Sequence, residues 1–343
     1  MPTQSTATPS VASHAAVEEV THLRERSLRQ KMLTSQPFWV TVAVLAIIFV
    51  MTLYQPTAFA SADNFFNITR NFAFIGIMAL GMTAVILTGG IDLSVGSIMG
   101  LVGVVCGLLL QAGHHWALAI GAALLAGAAA GAANGVLIAY VGLPSFVVTL
   151  GMLSIARSLA IVLSQNKIIY QLGPYGDAFD AIGGGDMLGV ANPVWLLVVM
   201  ALVFGYVFNF TAWGRYLFAI GGNENASRLT GVPVKRIKLE AYVVSGVTAA
   251  IASVMIVGWQ GSAINALGTG YELRVIASTV IGGASLIGGE GGAFGAVMGA
   301  ALIEVIRNSL LMAGVDSNWQ GTFVGLFIVL AVLLQRIRQR PAE

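Results

Sequence analysis

Long apolar runs are the feature that most constrains the fold of this chain. They follow one another through most of the sequence, at residues 38–54, 72–88, 93–110, 116–140, 146–163, 194–210, 239–258, 275–286, 293–312 and 318–334. A helix needs roughly 20 apolar residues to cross about 30 Å of hydrocarbon. Only 9% of residues are charged and 57% are hydrophobic. The sequence therefore predicts an all-α polytopic membrane protein with about ten transmembrane helices, some of them broken or short.

The distribution of Lys and Arg predicts the orientation. Twelve of the 17 basic residues fall before the first run, within residues 213–238, or after the last run. The positive-inside rule places these three intervals in the cytoplasm, and an even number of runs separates each from the next. We expect residues 1–36 to form a disordered basic cytoplasmic tail, 37–336 the transmembrane domain and 337–343 a second cytoplasmic tail. This topology requires the short run 275–286 to cross as well.

The interval 213–238 contains the signals of a short helix outside the bilayer. Asn223 is a suitable N-cap, and Glu224 follows in the first turn, where the helix dipole favours negative charge. Gly231 suits the left-handed residue that closes a helix, and Pro233 stops its continuation. The pattern predicts a helix over 224–230. Two interpretations stay open: an ordinary basic loop, or a surface gripped by a partner.

Two glycine-rich breaks, at 89–96 and 282–292, interrupt the helical pattern. In the first, Asp92 either caps the next helix or is a fixed charge beside a transport path. The second flanks the short run 275–286, which is typical of a kinked or half-spanning helix. Polar residues in or beside apolar runs are candidates for the substrate path, or for hydrogen bonds between helices. They are Asp92, Asn134, Thr149, Ser154, Ser245, Gln260 and Asn308.

Four blocks of the chain carry a family resemblance. They are GGIDLSVGS at 89–97, PSFVVTLGM at 144–152, GRYLFAIGGNENASRLTGVPV at 214–234 and GYELRVIASTVIGGASLIGGEGG at 270–292. In this order they resemble the permease subunits of ribose-type sugar ABC importers, and the similarity extends over about 38–334. The resemblance implies a multi-pass protein of the bacterial inner membrane that imports a pentose-like or hexose-like sugar from the periplasm by alternating access.

The resemblance also implies partners. A second permease, either a copy or a sister chain, would complete the pore, two ATPase subunits would bind ATP and Mg²⁺, and a periplasmic protein would deliver the sugar. The family's coupling helix falls on 223–231, so the residues expected to meet the ATPase are Asn223, Glu224, Ala226, Arg228, Leu229 and Gly231. Arg70, Lys167 and Arg307, near predicted outer ends, either contact the binding protein or only extend to the membrane surface. The outer interval 165–192 is either a docking surface or a connector.

Other functions find less support in the residues. The chain lacks G-x-x-x-x-G-K-[ST], so it has no P-loop, and it shows no pattern of nucleophile or metal ligands. We therefore expect no enzymatic activity, no cofactor or metal bound by this chain, and contact with lipid but not with nucleic acid. The alternative is a secondary transporter or facilitator that uses Glu272, Glu304 or Arg157 as a relay. Glu304 and Arg307 lie three residues apart and can instead pair.

Overall fold

The structure is a computed structural model, and it describes residues 35–319, 321–323, 325, 326, 329 and 330. Nearly all of the predicted tail at 1–36, part of the predicted span 318–334 and the predicted tail at 337–343 lie outside these residues. Within them, α-helices account for every long element. The bounds are α1 (Gln36–Tyr54), α2 (Ala62–Leu87), α3 (Val95–Gln111), α4 (Trp116–Val136), α5 (Ser145–Leu163), α6 (Gly176–Gly184), α7 (Asn192–Phe210), α8 (Ala212–Gly222), α9 (Glu224–Leu229), α10 (Val234–Gln260), α11 (Tyr271–Ile281) and α12 (Ala293–Met312).

Short irregular elements complete the chain. A π-helical turn, Leu137–Val141, extends α4, and 3-10 turns occupy Gly173–Tyr175 and Ser317–Trp319. Strands β1 (Asp186–Met187) and β2 (Val190–Ala191) pair in an antiparallel hairpin between α6 and α7. We call the side of the molecule that bears this hairpin the hairpin face, and the opposite side, which bears α9, the α9 face.

Seven of the described helices are long and apolar enough to cross a membrane: α1, α2, α4 with its π turn, α5, α7, α10 and α12. The predicted all-α polytopic fold is confirmed. Helix α3 is shorter, with 17 residues, and its run begins at Val95 instead of residue 93. Helix α10 begins at Val234, five residues before the predicted run, so the basic residues of its first turns belong to a membrane helix.

The predicted run 275–286 corresponds to a half-helix, α11, and the loop before α11 supplies the rest of the passage across the molecule. Helix α11 has 11 residues and spans about 17 Å at 1.5 Å per residue, too short to cross alone. The preceding loop begins on the hairpin face, where Ala263 and Ile169 exchange two 3.0 Å backbone hydrogen bonds. After α11 the chain reaches the α9 face, where the Gly289 amide donates to the Leu87 carbonyl at 3.0 Å. Loop and half-helix together therefore pass from one face to the other.

Helices α2 and α10 form the centre of the bundle. Their apolar windows are 83% and 78% buried, whereas those of α1 and α7 are only 17% buried. Glycines on α4 allow its close packing on α10: a Cβ at Gly131 would overlap the Tyr242 carbonyl, and one at Gly127 would lie 2.5 Å from the Gly246 carbonyl. Small residues let membrane helices approach in this way. The apolar outer surfaces of α1 and α7 suit lipid or a second membrane subunit.

Candidate functional site

Helix α9 has the caps that the sequence predicts. The Asn223 side-chain oxygen accepts the Ala226 backbone N–H at 2.9 Å. At the other end, Gly231 takes φ +85°, and the Val232 N–H donates to the Ser227 carbonyl at 3.0 Å. This arrangement satisfies backbone groups that a helix end otherwise leaves free. The helix prediction is confirmed, with its end at Leu229, one residue earlier than expected.

Helix α9 turns one large apolar side chain outward. Leu229 is 89% exposed, while Ser227 is buried and donates its hydroxyl to the Asn223 carbonyl at 2.9 Å. Ala226 and Arg228 are exposed beside Leu229. Burying a leucine typically contributes about 1.5–3 kcal/mol, so this residue forgoes that stabilisation in the isolated chain. Leu229 is the side chain of α9 best placed to enter a partner's pocket.

Glu224, which is also expected to meet the ATPase, makes two ion pairs within the chain. Its carboxylate binds the Lys238 ammonium at 2.5 Å and the Arg228 guanidinium at 3.1 Å. Partial burial by itself would raise the pKa of Glu224, but the hydrogen bonds and charges of Lys238 and Arg228 outweigh it and hold that pKa below its ordinary value. Glu224 therefore fastens α9 to the first turns of α10.

The second glycine-rich break packs beside α9. A Cβ at Gly221, near the end of α8, would overlap the Leu87 carbonyl and the Gly289 amide, so only glycine fits there. Next to this contact Ile287 is 80% exposed. The 288–292 loop therefore lies on the same side of the molecule as residues 223–231, which we call the coupling segment. Leu229 and Ile287 are thus two large, strongly exposed apolar residues on the α9 face.

Asp92 lies in a closed polar network inside the bundle. It is 0% exposed, and one carboxylate oxygen accepts from the Ser94 amide at 2.9 Å and from the Ser94 hydroxyl at 2.5 Å. The other oxygen accepts from the Ser245 hydroxyl at 2.8 Å, and the Asn134 amide donates to the Ser94 hydroxyl at 2.9 Å. Asp92, Asn134 and Ser245 therefore join three segments here, as the helix-to-helix interpretation expects, and Asp92 also caps the turn before α3.

The other candidates for the path are dispersed. Thr149 is buried, and its hydroxyl donates to the Ser145 carbonyl of its own helix at 2.8 Å and lies 3.3 Å from the carbonyl of Ile91, the residue before Asp92. Asn308 pairs with Asn64 through a 2.8 Å bond near the hairpin face. Ser154 is exposed on α5, and Gln260 is exposed at the end of α10. Of these four residues, Thr149 therefore lies beside the break that contains Asp92, whereas the structure does not bring Ser154, Gln260 and Asn308 into that site.

The three candidate docking cations also differ. Arg70 lies over the Trp259 ring, 4.2 Å from its centroid, and Arg307 binds Glu304 at 3.0 Å. Both are engaged within the bundle. Lys167 is exposed on the hairpin face, so it is the one of the three that is free to meet a protein from that side.

Sequence reasoning missed the contacts that several residues make in these sites. Arg157 donates to the carbonyls of Asn265 and Leu267 at 2.8 and 2.9 Å and holds the loop before α11, a contact between distant segments without a local signal. By contrast, Lys235, Lys238 and Tyr242 are spaced by three and four residues, so a helical pattern places them on one side. The structure brings these three to one cavity on the α9 face.

Apolar helices broken by glycine-rich segments, with a capped helix exposed on one face, are the architecture of a multi-pass membrane protein. A family's sequence model, described as "Branched-chain amino acid transport system / permease component", matches residues 64–332. The chain is 38% identical to the ribose import permease protein RbsC of Escherichia coli K12 over 299 residues, which are 87% of this chain and 93% of that protein. It is 34% identical to the fructose import permease protein FrcC of Rhizobium meliloti, covering 91% and 89% of the two chains.

An L-arabinose ABC transporter permease protein, AraH of Azospirillum brasilense, is 33% identical, with 87% of each chain covered. No solved structure matches the chain. The chain belongs to the permease family of ribose-type ABC importers. It is therefore a multi-pass protein of the bacterial inner membrane.

Proposed function

We propose that this chain is the transmembrane subunit of an ATP-driven importer that moves a monosaccharide from the periplasm to the cytoplasm. Two observations together support this proposal. The relatives are named as permeases for ribose, arabinose and fructose, and the capped helix α9 is exposed. ATP and Mg²⁺ are bound by a separate ATPase subunit. The chain itself has no P-loop sequence.

In this proposal the α9 face is cytoplasmic and receives the ATPase. Leu229 enters the ATPase groove and Ile287 forms a second apolar contact, because both are strongly exposed on one face. The hairpin face is periplasmic and receives the binding protein, with Lys167 available for an acidic group. The outer surfaces of α1 and α7 are apolar, and part of the membrane surface packs against a second permease, either a copy or a sister chain.

A chain of contacts supports a mechanism for alternating access. The Glu224 carboxylate ties α9 to Lys238 at the start of α10, and Ser245, two turns further along α10, holds Asp92. Asp92 lies in the break between α2 and α3. Closure of the ATPases moves α9, and α10 carries this movement to the break within the bundle. The change of access then follows from a shift of packed helices.

The alternative of a secondary carrier is weakened because two of its three candidate relay residues, Glu304 and Arg157, are engaged within the bundle. The Arg307 guanidinium binds the Glu304 carboxylate at 3.0 Å, and Glu304 is 2% exposed. Arg157 is engaged with two backbone carbonyls. A proton or ion relay needs groups that exchange charge with a water-filled path. These groups instead hold α12 and the loop before α11 in place.

The test is sugar-stimulated ATP hydrolysis and uptake in proteoliposomes that contain this chain, its genetically neighbouring ATPase and the candidate binding protein. The key variant is Leu229→Asp, since Glu224→Lys would also break the pairs within the chain. We expect Leu229→Asp to lower stimulated hydrolysis at least tenfold, because a charge cannot enter an apolar groove without losing its hydration. Screening sugars in the same assay identifies the cargo.

Leu188→Asp is the matched control. Leu188 is 87% exposed on the hairpin face, so the same substitution there must leave co-purification of the ATPase unchanged. Equal sugar-stimulated ATP hydrolysis by wild type and Leu229→Asp would contradict the proposal that α9 binds the ATPase. Sugar uptake by this chain alone, without ATP, would establish the secondary carrier instead.

A further inference from the structure

A polar cavity of about 400 Å³ lies on the α9 face, beside the coupling segment. The π turn after α4, the helix α9, the first turns of α10 and the break after α2 form its walls. Its volume is in the range of small-molecule sites. The side chains that bear on the argument are those of Ser145, Glu224, Arg228, Lys235, Lys238 and Tyr242.

The lining carries an excess of positive charge. Arg228, Lys235 and Lys238 are cationic, and Glu224 is the single carboxylate among the lining residues. Glu224 is already engaged with Arg228 and Lys238. The Lys235 ammonium lies 5.7 Å from the centroid of the Tyr140 ring, and no carboxylate of the described residues is within ion-pair distance of it. A net charge of about +2 therefore faces an open polar cavity.

A buried hydroxyl also lines this cavity. Tyr242 is 1% exposed, and its hydroxyl lies beside the Ser145 side chain without a well-formed hydrogen bond to it. Buried polar groups nearly always have a partner in native structures. Together with the cations, the neighbouring side chains of Tyr242 and Ser145 in this wall favour a ligand with oxygen acceptors.

We propose that this cavity binds a phosphate group. Phosphate oxygens accept charge-assisted hydrogen bonds from Lys and Arg, and further bonds from hydroxyls such as those of Tyr242 and Ser145. The group belongs either to a soluble phosphate ester of the cytoplasm or to a phospholipid headgroup of the inner leaflet. This binding does not depend on which solute the pore carries.

Binding there has a consequence for the coupling segment. Arg228 and Lys238 are the two cations that hold Glu224, so a phosphate in the cavity competes with the Glu224 carboxylate for both. An occupied cavity therefore loosens the attachment of α9 to α10. Cytoplasmic phosphate esters or the surrounding lipid can therefore change how tightly the coupling segment is attached to α10.

The experiment measures saturable binding of radiolabelled inorganic phosphate to the full chain in detergent, at fixed ionic strength, with ribose 5-phosphate and ribose as competitors. We expect ribose 5-phosphate to compete and ribose not to. Lys235→Gln removes one charge from the lining and should weaken binding about tenfold. Tyr242→Phe, which removes only the hydroxyl, should weaken it about fivefold.

Arg236→Gln is the matched control, because Arg236 is exposed on the same turn of α10 and pairs with Glu240 outside the cavity. The phosphate affinity of Arg236→Gln should stay within twofold of that of wild type. Equal weakening by Lys235→Gln and Arg236→Gln would show attraction to surface charge in general and overturn the site. Binding that is absent, not saturable, or displaced equally by ribose would overturn it too.

Two lipid conditions distinguish the sources of the phosphate group. Phosphatidylcholine is zwitterionic, so a lipid site that prefers an anionic headgroup is filled only when phosphatidylglycerol is added to the nanodiscs, and the soluble probes then bind more weakly. Native mass spectrometry should then show phosphatidylglycerol retained by wild type and lost from Lys235→Gln. A soluble-ester site instead binds ribose 5-phosphate in both membranes and retains no phosphatidylglycerol in native mass spectrometry. Retention of the same lipid by both variants, with no binding of either soluble probe, would contradict the proposal.

Discussion

The coupling segment and the Asp92 network are both built from polar side chains, but their partners come from different distances along the chain. In residues 223–231, the cap contacts lie within a few residues of each other. In the network, Asn134 meets Ser94 across 40 residues and Ser245 meets Asp92 across 153. The first region is exposed and the second is fully buried. Local contacts thus shape the surface that meets a partner, and distant contacts hold the bundle.

Because of this difference, we expect the coupling segment to contribute to coupling and the Asp92 network to contribute to stability. A short exposed helix with its own caps can move as a unit, because few contacts would have to break. A buried carboxylate with three hydrogen bonds fixes the relative positions of the segments that supply its donors. Substitutions in the network should therefore affect stability most, and substitutions in the segment should affect coupling with little change in stability.

The largest effect is expected for Asp92→Ala. It removes the acceptor of the Ser94 amide, the Ser94 hydroxyl and the Ser245 hydroxyl, so buried donors are left unpaired at a cost of about 3 kcal/mol. Thermal unfolding in detergent measures this loss as a lower Tm. Asp92→Asn keeps an oxygen acceptor and should retain most of the stability. A Tm for Asp92→Ala equal to that of wild type would contradict the structural role of the network.

The same contrast explains how much could be predicted from the sequence. The apolar runs and the caps at Asn223 and Gly231 obey rules that act within a few residues, so the helices and the coupling segment follow from the pattern. The partners of Asp92 depend on which helices pack together. Sequence spacing can mark it as costly in a membrane, but the choice between capping and lining a path needs the positions of Ser245 and Asn134.

The sequence also predicts the exposure of a side chain only where local contacts determine it. The exposure of Leu229 follows from its place on a capped helix outside the bilayer. Arg70 and Arg307 looked equally available near predicted outer ends, yet Trp259 and Glu304 occupy them. For Glu224 the sequence predicts contact with the ATPase, but it does not predict the ion pair with Lys238 of the next helix. Long side chains find partners on neighbouring helices, which a linear pattern does not specify.

The next effect concerns the glycine contact that joins the two regions. Gly221→Ala places a Cβ against the Leu87 carbonyl and the Gly289 amide, so the loop must shift at a cost of about 2 kcal/mol. Gly222→Ala is the matched control, since its Cβ meets nothing within 4 Å. Thermal unfolding should separate the two variants, and ATPase stimulation should fall only for Gly221→Ala. Equal Tm values of Gly221→Ala and Gly222→Ala would show that the 288–292 loop can shift without a loss of stability.

A smaller and local effect is expected for the N-cap. Asn223→Ala removes the acceptor of the Ala226 amide and should destabilise α9 by about 1 kcal/mol, without lowering the Tm of the bundle. Hydrogen exchange of the Ala226 amide should then be about fivefold faster. Asn225→Ala, on the same short helix, removes no cap and should leave this rate close to that of wild type. A lower Tm for Asn223→Ala would mean that the segment is more tightly joined to the bundle than the comparison implies.

The smallest effect is the response of α9 to pH. The pKa of Glu224 lies below its ordinary value of 4.5, because the bonds and charges of Lys238 and Arg228 outweigh its partial burial. The ionised carboxylate therefore stabilises the fold fully above pH 4.5, and this contribution is lost as the pH falls through the lower pKa of the folded state. Since Glu224 is 38% exposed, we expect less than about 1 kcal/mol.

A spin label at Leu229→Cys detects this loosening as increased mobility, and the native Cys106 is buried in α3. The label should keep its neutral-pH mobility down to about pH 4.5 and become more mobile in more acidic solution. In the Glu224→Gln background it should be mobile throughout, because a neutral amide cannot hold both cations. A transition in that background at the same pH would assign the effect to another group, and α9 would then be attached to α10 by contacts other than the Glu224 pairs.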